Sequence, residues 1–292
     1  MQTIMPQPAV VGPPNFDKFL DNKFVPFNWE SSHFIPSTTL SFSATEKFLI
    51  KSGKLKLRDK DISYDLNSFA LRCNDFTKDK ETNKFLFAGC SFTFGEALPH
   101  KTNWSGQLFE SLNNDSGAFQ EYNLLGYCGA SIDYILDNIY AYLKKFNQPE
   151  NIFILFPDSK RKTANHRGAR LVLIPQDMND RHYEYTWGGV DSFDYQLLKI
   201  KKLEDYCNNN KIKLFWSTWD QKERDKFLQC ELNNFIYFNN EDINKQIKDK
   251  KIFLNEHKKY YEIARDNIHP GIGYNSAIAN IFMERYVSKN NK

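Results

Sequence analysis

From residue 84 onward the chain alternates between two rhythms, and this alternation restricts its fold more than any other feature. Short apolar runs, "FLFAG" (85–89), "YNLLG" (122–126), "IFILF" (152–156) and "KLFWST" (213–218), with "FIYF" (235–238) as a weaker fifth, are each too short for a helix. Several are apolar on consecutive residues, as strands are when both faces of a parallel sheet are covered. Between them, apolar residues recur at helical spacing: Trp104, Leu108, Phe109 and Leu112; Ile132, Ile135, Leu136, Ile139, Leu143 and Phe146; Leu197, Leu198, Leu203, Tyr206 and Cys207; Tyr274, Ala277, Ile278, Ile281 and Phe282. Strand and helix in alternation predict an α/β domain with a doubly wound parallel sheet, whose reactive groups gather at the carboxyl ends of the strands.

The first 83 residues read differently. Prolines at 6, 8, 13, 14, 26 and 36 mark residues 1–45 as an extended arm, lying on its own domain or on another subunit or virion protein. Residues 46–83 contain alternating pieces such as "KLKLRDKDISYDL" and read as a β-rich extension. The domain proper is then 84–292, interrupted at 157–193 by an insertion rich in Asp, Arg, His and Gly, placed where substrate-selecting loops lie.

Charge and cysteine usage exclude several functions. With 39 basic and 36 acidic residues spread along the chain, net charge +3, there is no electrostatic footprint for nucleic acid. The run Lys248-Asp249-Lys250-Lys251 reads as a solvated face. Five cysteines without a C-x-x-C pair argue against a disulfide scaffold and a zinc site, and the remaining histidines (His33, His100, His166, His182, His257) have no second ligand at metal spacing. The first residues lack the features of a signal peptide, and no apolar run approaches the ~20 residues of a membrane span, so the expected location is the cytoplasm, or a virion if the source is viral. Gly188-Gly189 reads as a turn, not a phosphate cradle, and no Gly-rich loop at a strand–helix junction supports nucleotide binding. Trp187, Trp216 and Trp219 fit either a core or the floor of a sugar site.

The chemistry concentrates in two distant segments. In "FAGCSFTFGEALP" (87–99), Ser91 follows a strand end, and the glycines at 89 and 95 permit a tight path. A serine hydroxyl is a weak nucleophile until a base within hydrogen-bond reach activates it and a third group orients that base. "ARDNIHPGIGY" (264–274) supplies both: Asp266 and His269 are three apart on a turn, so the carboxylate can hold Nδ1 while Nε2 faces outward.

"FLFAGCSFTFGE" resembles the first block of the SGNH, or GDSL, hydrolases, with Gly89 and Ser91 matching and Cys90 standing where that family usually has Asp. "NLLGYCGAS" is similar to the second block, "DNIHPG" to the last, and "DLNSFALRCNDF" (65–76) to a stretch that often precedes the catalytic block in phage and bacterial members. The resemblance covers about residues 84–292. It implies a flavodoxin-like three-layer α/β/α sandwich and cofactor-free, metal-free ester hydrolysis through an acyl-serine. Ser91, His269 and Asp266 would form the triad, the N–H groups of Ser91 and Gly129 the oxyanion hole, and a small acyl group on a carbohydrate the substrate. One departure stands out. Pro157 of "LFPDSKR" falls where the family has an oxyanion-binding asparagine, and loss of one such donor costs about two to three orders of magnitude in rate. Asp158 would repel an oxyanion if it pointed into the hole, while Arg161 or Asn165 would serve as a replacement donor. The alternative is a weak or inactive SGNH-like module that binds glycan or another virion subunit.

Overall fold

The computed structural model describes residues 38–53, 62–67, 69, 71–76, 84–113, 122–146, 148–166, 169–173, 192–250 and 260–291. In chain order the elements are β1 (Thr38–Leu40), α1 (Ala44–Lys51), β2 (Tyr64–Leu66), β3 (Phe85–Gly89), α2 (Ser91–Phe94), α3 (Trp104–Leu112), β4 (Tyr122–Gly126) and α4 (Ile132–Lys145). They continue with β5 (Asn151–Phe156), β6 (Lys162–His166), β7 (Ala169–Leu173), α5 (Ser192–Asn209), β8 (Lys213–Thr218), α6 (Gln221–Leu228), α7 (Asn240–Lys250) and α8 (Ile272–Asn290).

The four strong apolar runs form one parallel sheet in the order β4-β3-β5-β8. Reading the sheet strands by their place in the chain, this is 2-1-3-4, the flavodoxin-like order. The "FIYF" segment contributes a single parallel bridge, Phe235 to Trp216, rather than a full strand. The backbone bonds Trp216 N–H to Asn234 O and Ile236 N–H to Trp216 O make that one rung.

Alternate side chains of each strand enter two separate cores, which gives three layers. Leu86, Ala88, Leu125, Ile152, Ile154, Leu214 and Trp216 pack with α4 and α5. Phe85, Phe87, Leu124, Phe153, Leu155 and Phe215 pack with α3, α7 and α8. On this second face Phe87, Phe153 and Phe215 stand in register and stack, with ring centres 5.3 and 5.0 Å apart. Each such pair adds about 0.5–1.5 kcal/mol beyond the area it buries. Ser131 begins α4 by accepting the Tyr134 N–H, and Asn103 begins α3 by accepting that of Gly106.

The α5 stripe differs from the expected one. Gln196, Ile200, Leu203, Glu204 and Cys207 are buried, whereas Leu198 is 53% exposed. Glu204 takes an inward position because it accepts hydrogen bonds from the Trp216 indole (2.9 Å) and the Asn234 N–H (3.0 Å).

Residues 44–51, straddling the predicted arm and β-rich extension, are helical. The cause is local: in Ser43-Ala-Thr-Glu46 the Ser43 hydroxyl accepts the Glu46 N–H and the Glu46 carboxylate accepts the Ser43 N–H, a reciprocal cap. β1 and β2 then pair antiparallel. Most of the predicted arm, residues 1–37, lies outside the described residues. So do His33, His182, His257, Trp187, Gly188 and Gly189. In the predicted insertion, β6 and β7 form an antiparallel hairpin, and α5 begins at Ser192, inside its assigned end. Among the described residues no helix is long and apolar enough to cross a membrane.

Candidate active site

Ser91 is the first residue of α2, directly beyond the carboxyl end of β3, and it is 5% exposed. This helix can start so close to the sheet because residue 89 is glycine. A Cβ there would stand 2.0 Å from Thr93 Oγ1 and 2.7 Å from the Leu155 carbonyl. The other segment arrives from the loop before α8, where Ile263 and Pro270 form a bridge and the His269 carbonyl accepts the Ala264 N–H. Asn267 takes a left-handed conformation, φ 60°, at the tip of this turn, a region that asparagine tolerates better than most residues.

These two segments bring the predicted triad together. His269 Nε2 is 2.9 Å from Ser91 Oγ, and Nδ1 is 2.5 Å from Asp266 Oδ2. Asp266 Oδ1 accepts the backbone N–H groups of Ile268 and His269, both at 3.0 Å, so the carboxylate cannot swing away from the ring. Burial pushes the Asp266 carboxyl up, but the hydrogen bonds from His269 and Ile268 outweigh it and hold it below its ordinary value. Burial pushes His269 down, while its bond to Asp266 and the nearby charge of Glu96 carry it above its ordinary value. Cys90 is fully buried, and burial raises its thiol, so it offers no competing thiolate beside Ser91.

Gly129 follows β4 with φ +74°, a left-handed conformation that suits glycine, and open space surrounds the position of an added Cβ. Among the described residues neither its N–H nor that of Ser91 is engaged in a hydrogen bond.

The segment after β5 carries Pro157, which has no N–H to offer, and Asp158, whose carboxylate is taken by Arg161 Nε at 2.9 Å. Its charge is thereby compensated. Arg161 lies 5.5 Å from the centre of the Trp219 ring, and its charge is felt at both Cys90 and His269. The Trp219 ring also stacks on Phe92 (5.1 Å), which meets His269 edge-on (5.8 Å). Trp219 is thus held between Phe92 and Arg161 and lines the neighbouring cavity with Tyr274, whereas Trp216 is fully buried core. Asn165 sits on β6, its side chain outside the described part of the structure.

Three further residues surround the site: Arg72 lies in the stretch 65–76 singled out above, whereas Glu96 and Arg265 carry no recognisable local signal. Glu96, 2% exposed, places Oε2 3.7 Å from His269 Nε2. Arg265 forms a two-pronged pair with Glu46 (2.7 and 2.9 Å), the side chains being 1% and 0% exposed, and so ties the Asp266 turn to α1. Arg72, in the stretch before β3, donates to the carbonyls of Gly95, Leu98 and Ser63 and fixes the loop beyond α2. Only the Ser43–Glu46 capping pattern was available to find α1.

No family model matches the chain, and no curated protein matches it. Solved structures do. A psychrotrophic esterase, EstA, from Pseudoalteromonas sp. is similar at 10% identity and TM-score 0.42, over 72% of this chain and all of that one. A GDSL-like lipase from Bacteroides thetaiotaomicron is similar at 14% identity and TM-score 0.40, over 74% of this chain and 93% of the other. At such distances the chemistry has to be argued from the site itself.

Proposed function

We propose that the protein is a serine hydrolase working through Ser91, His269 and Asp266, and more particularly a carboxylic ester hydrolase of the SGNH type. The observation that carries this is the 2.9 Å approach of Ser91 Oγ to His269 Nε2 across 178 positions of sequence, with Asp266 on the opposite ring nitrogen.

The geometry supports a two-stage reaction. Ser91 Oγ attacks the acyl carbon as His269 Nε2 takes its proton, and the carbonyl oxygen becomes an oxyanion received by the N–H groups of Ser91 and Gly129. Collapse breaks the ester C–O bond, Nε2–H protonates the departing alcohol, and an acyl-serine remains. Water then loses a proton to Nε2 as it attacks the acyl-serine, and the proton returns to Ser91 Oγ when the acid leaves. Asp266 holds the ring tautomer throughout and stabilises the imidazolium.

The near-complete burial of Ser91 supports a small acyl group, of acetyl size. For the alcohol, a cavity of about 520 Å³ opens beside Trp219 and Tyr274, lined by Asp220, Gln221, Asn240 and Asn244. Its acid and amide groups suit the hydroxyls of an acylated sugar. Arg161 is the candidate to supply the positive potential that an asparagine at position 157 would have given. The Pro157 substitution favours the second reading, a weak or inactive module, and the same assay decides between them. Acetyl, butyryl and octanoyl esters of one chromogenic alcohol should be cleaved in falling order by the wild type, and not measurably by Ser91→Ala. Equal rates for all chains would contradict the small-acyl reading, and no hydrolysis of any ester would favour the module.

A further inference from the structure

Glu96 lies five positions beyond Ser91, just past α2, and its carboxylate approaches the same ring nitrogen that faces the nucleophile, at 3.7 Å. Its other oxygen accepts the Ser43 hydroxyl at 2.6 Å, from the turn that starts α1. Burying a carboxylate is expensive in free energy, and Asp266 already satisfies the triad's need for one. With its side chain 1% exposed, Glu96 is shielded from substrate and attacking water, so a part in the chemistry would have to pass through His269.

We infer that Glu96 is a positioning residue for the reaction proposed above: anchored by Ser43, its carboxylate stabilises the imidazolium formed when the Ser91 proton reaches His269 Nε2. The inference rests on that reading for its catalytic meaning. While Nε2 is unprotonated it receives Ser91. Once Nε2 carries the proton, the ring has a carboxylate near each nitrogen, and transfer from Ser91 is easier. The charged groups around the ring are Asp266 from its own turn, Glu96 from beyond α2 and Arg161 from beyond β5. The last of these opposes protonation. Around Glu96 itself stand Ser43, which donates to it, the Cys128 thiol, whose proton its charge helps to hold, Tyr64, and Arg72 on the neighbouring Gly95 carbonyl.

Glu96→Gln keeps the shape and an oxygen for Ser43 but removes the charge. Titration of the His269 ring protons by NMR, assigned against His269→Ala, should show a midpoint lower by roughly one pH unit, the small end of what an opposite charge at this range produces. In the ester assay, the acidic limb of kcat/KM should move to lower pH by a similar amount, because the base loses its proton more readily. The plateau should fall about tenfold, because that base is also weaker. An unmoved midpoint in both measurements overturns the inference, including the case where activity falls equally at every pH, as a merely structural role would give. If the wild type hydrolyses no ester, the proposed function fails, but a shifted NMR midpoint still upholds the Glu96–His269 coupling. Should Glu96→Gln not fold, Ser43→Ala frees the carboxylate from its anchor. A smaller downward shift then supports the inference, and no shift overturns it.

Discussion

Asp266 shows how one short turn can hold an imidazole in place. Its carboxylate takes the His269 ring and two backbone N–H groups, so position and tautomer are set together. In Asp266→Asn the amide nitrogen can donate to Nδ1 and favour the wrong tautomer, and we expect kcat to fall by about 10⁴ with little change in KM, read by steady-state hydrolysis. The same pair links stability to pH. His269 is raised, so its contribution is full below its ordinary pKa of about 6.5 and is lost as pH rises through the raised value. Asp266 is lowered, so its contribution is present above about 3.9 and is lost as pH falls through the depressed value. Thermal melts of the wild type should therefore lose this increment on both sides of mildly acidic pH, and those of Asp266→Asn should vary less. Ser91, Asp266 and His269 were legible because each is marked by its immediate neighbours. Glu96 was not, since its anchor lies 53 positions away and nothing local distinguishes it from a surface acid.

At the level of elements, the pieces before β3 act on the site from outside the α/β layers. Glu46 of α1 holds Arg265, the residue before Asp266, and also accepts the Tyr64 hydroxyl from β2 at 2.7 Å. Tyr64 in turn accepts the Ala97 N–H, beside Glu96. Glu46→Ala would leave Arg265 buried and uncompensated, and removing one partner of such a pair costs about 3–5 kcal/mol. Denaturant unfolding should show that loss with an unchanged m-value, and among the molecules that remain folded kcat should suffer more than KM. An intact midpoint would mean that the pair does not hold the turn. The alternating pattern of residues 54–66 predicts strands, and 64–66 form one, whereas α1 is signalled only by the reciprocal cap of Ser43 and Glu46. On α5, the apolar character of Leu198 concealed that Glu204, satisfied by Trp216 and Asn234, owns the inward face.

For the molecule as a whole, the strand order β4-β3-β5-β8 accounts for the position of the site. The chain leaves β3, crosses to one neighbour and then returns past it to the other, and ligands in open α/β sheets bind at such a switch point beyond the carboxyl ends. Ser91 emerges there, and α8 packs beneath the second core so that the loop before it delivers His269. This much was readable from the alternation of apolar runs and amphipathic stretches, because short strands apolar on both faces have few other homes. On the proposed reading neither segment is reactive alone, and Ser91 becomes a nucleophile only when the sheet is assembled and His269 is brought to it. A fluorophosphonate probe tests that directly, by intact-mass analysis of the folded protein and mapping of the modified residue. The account predicts a single covalent adduct on Ser91, absent from Ser91→Ala, from His269→Ala and from wild type unfolded in urea. No adduct on the folded wild type, or one that persists in Ser91→Ala, would contradict it.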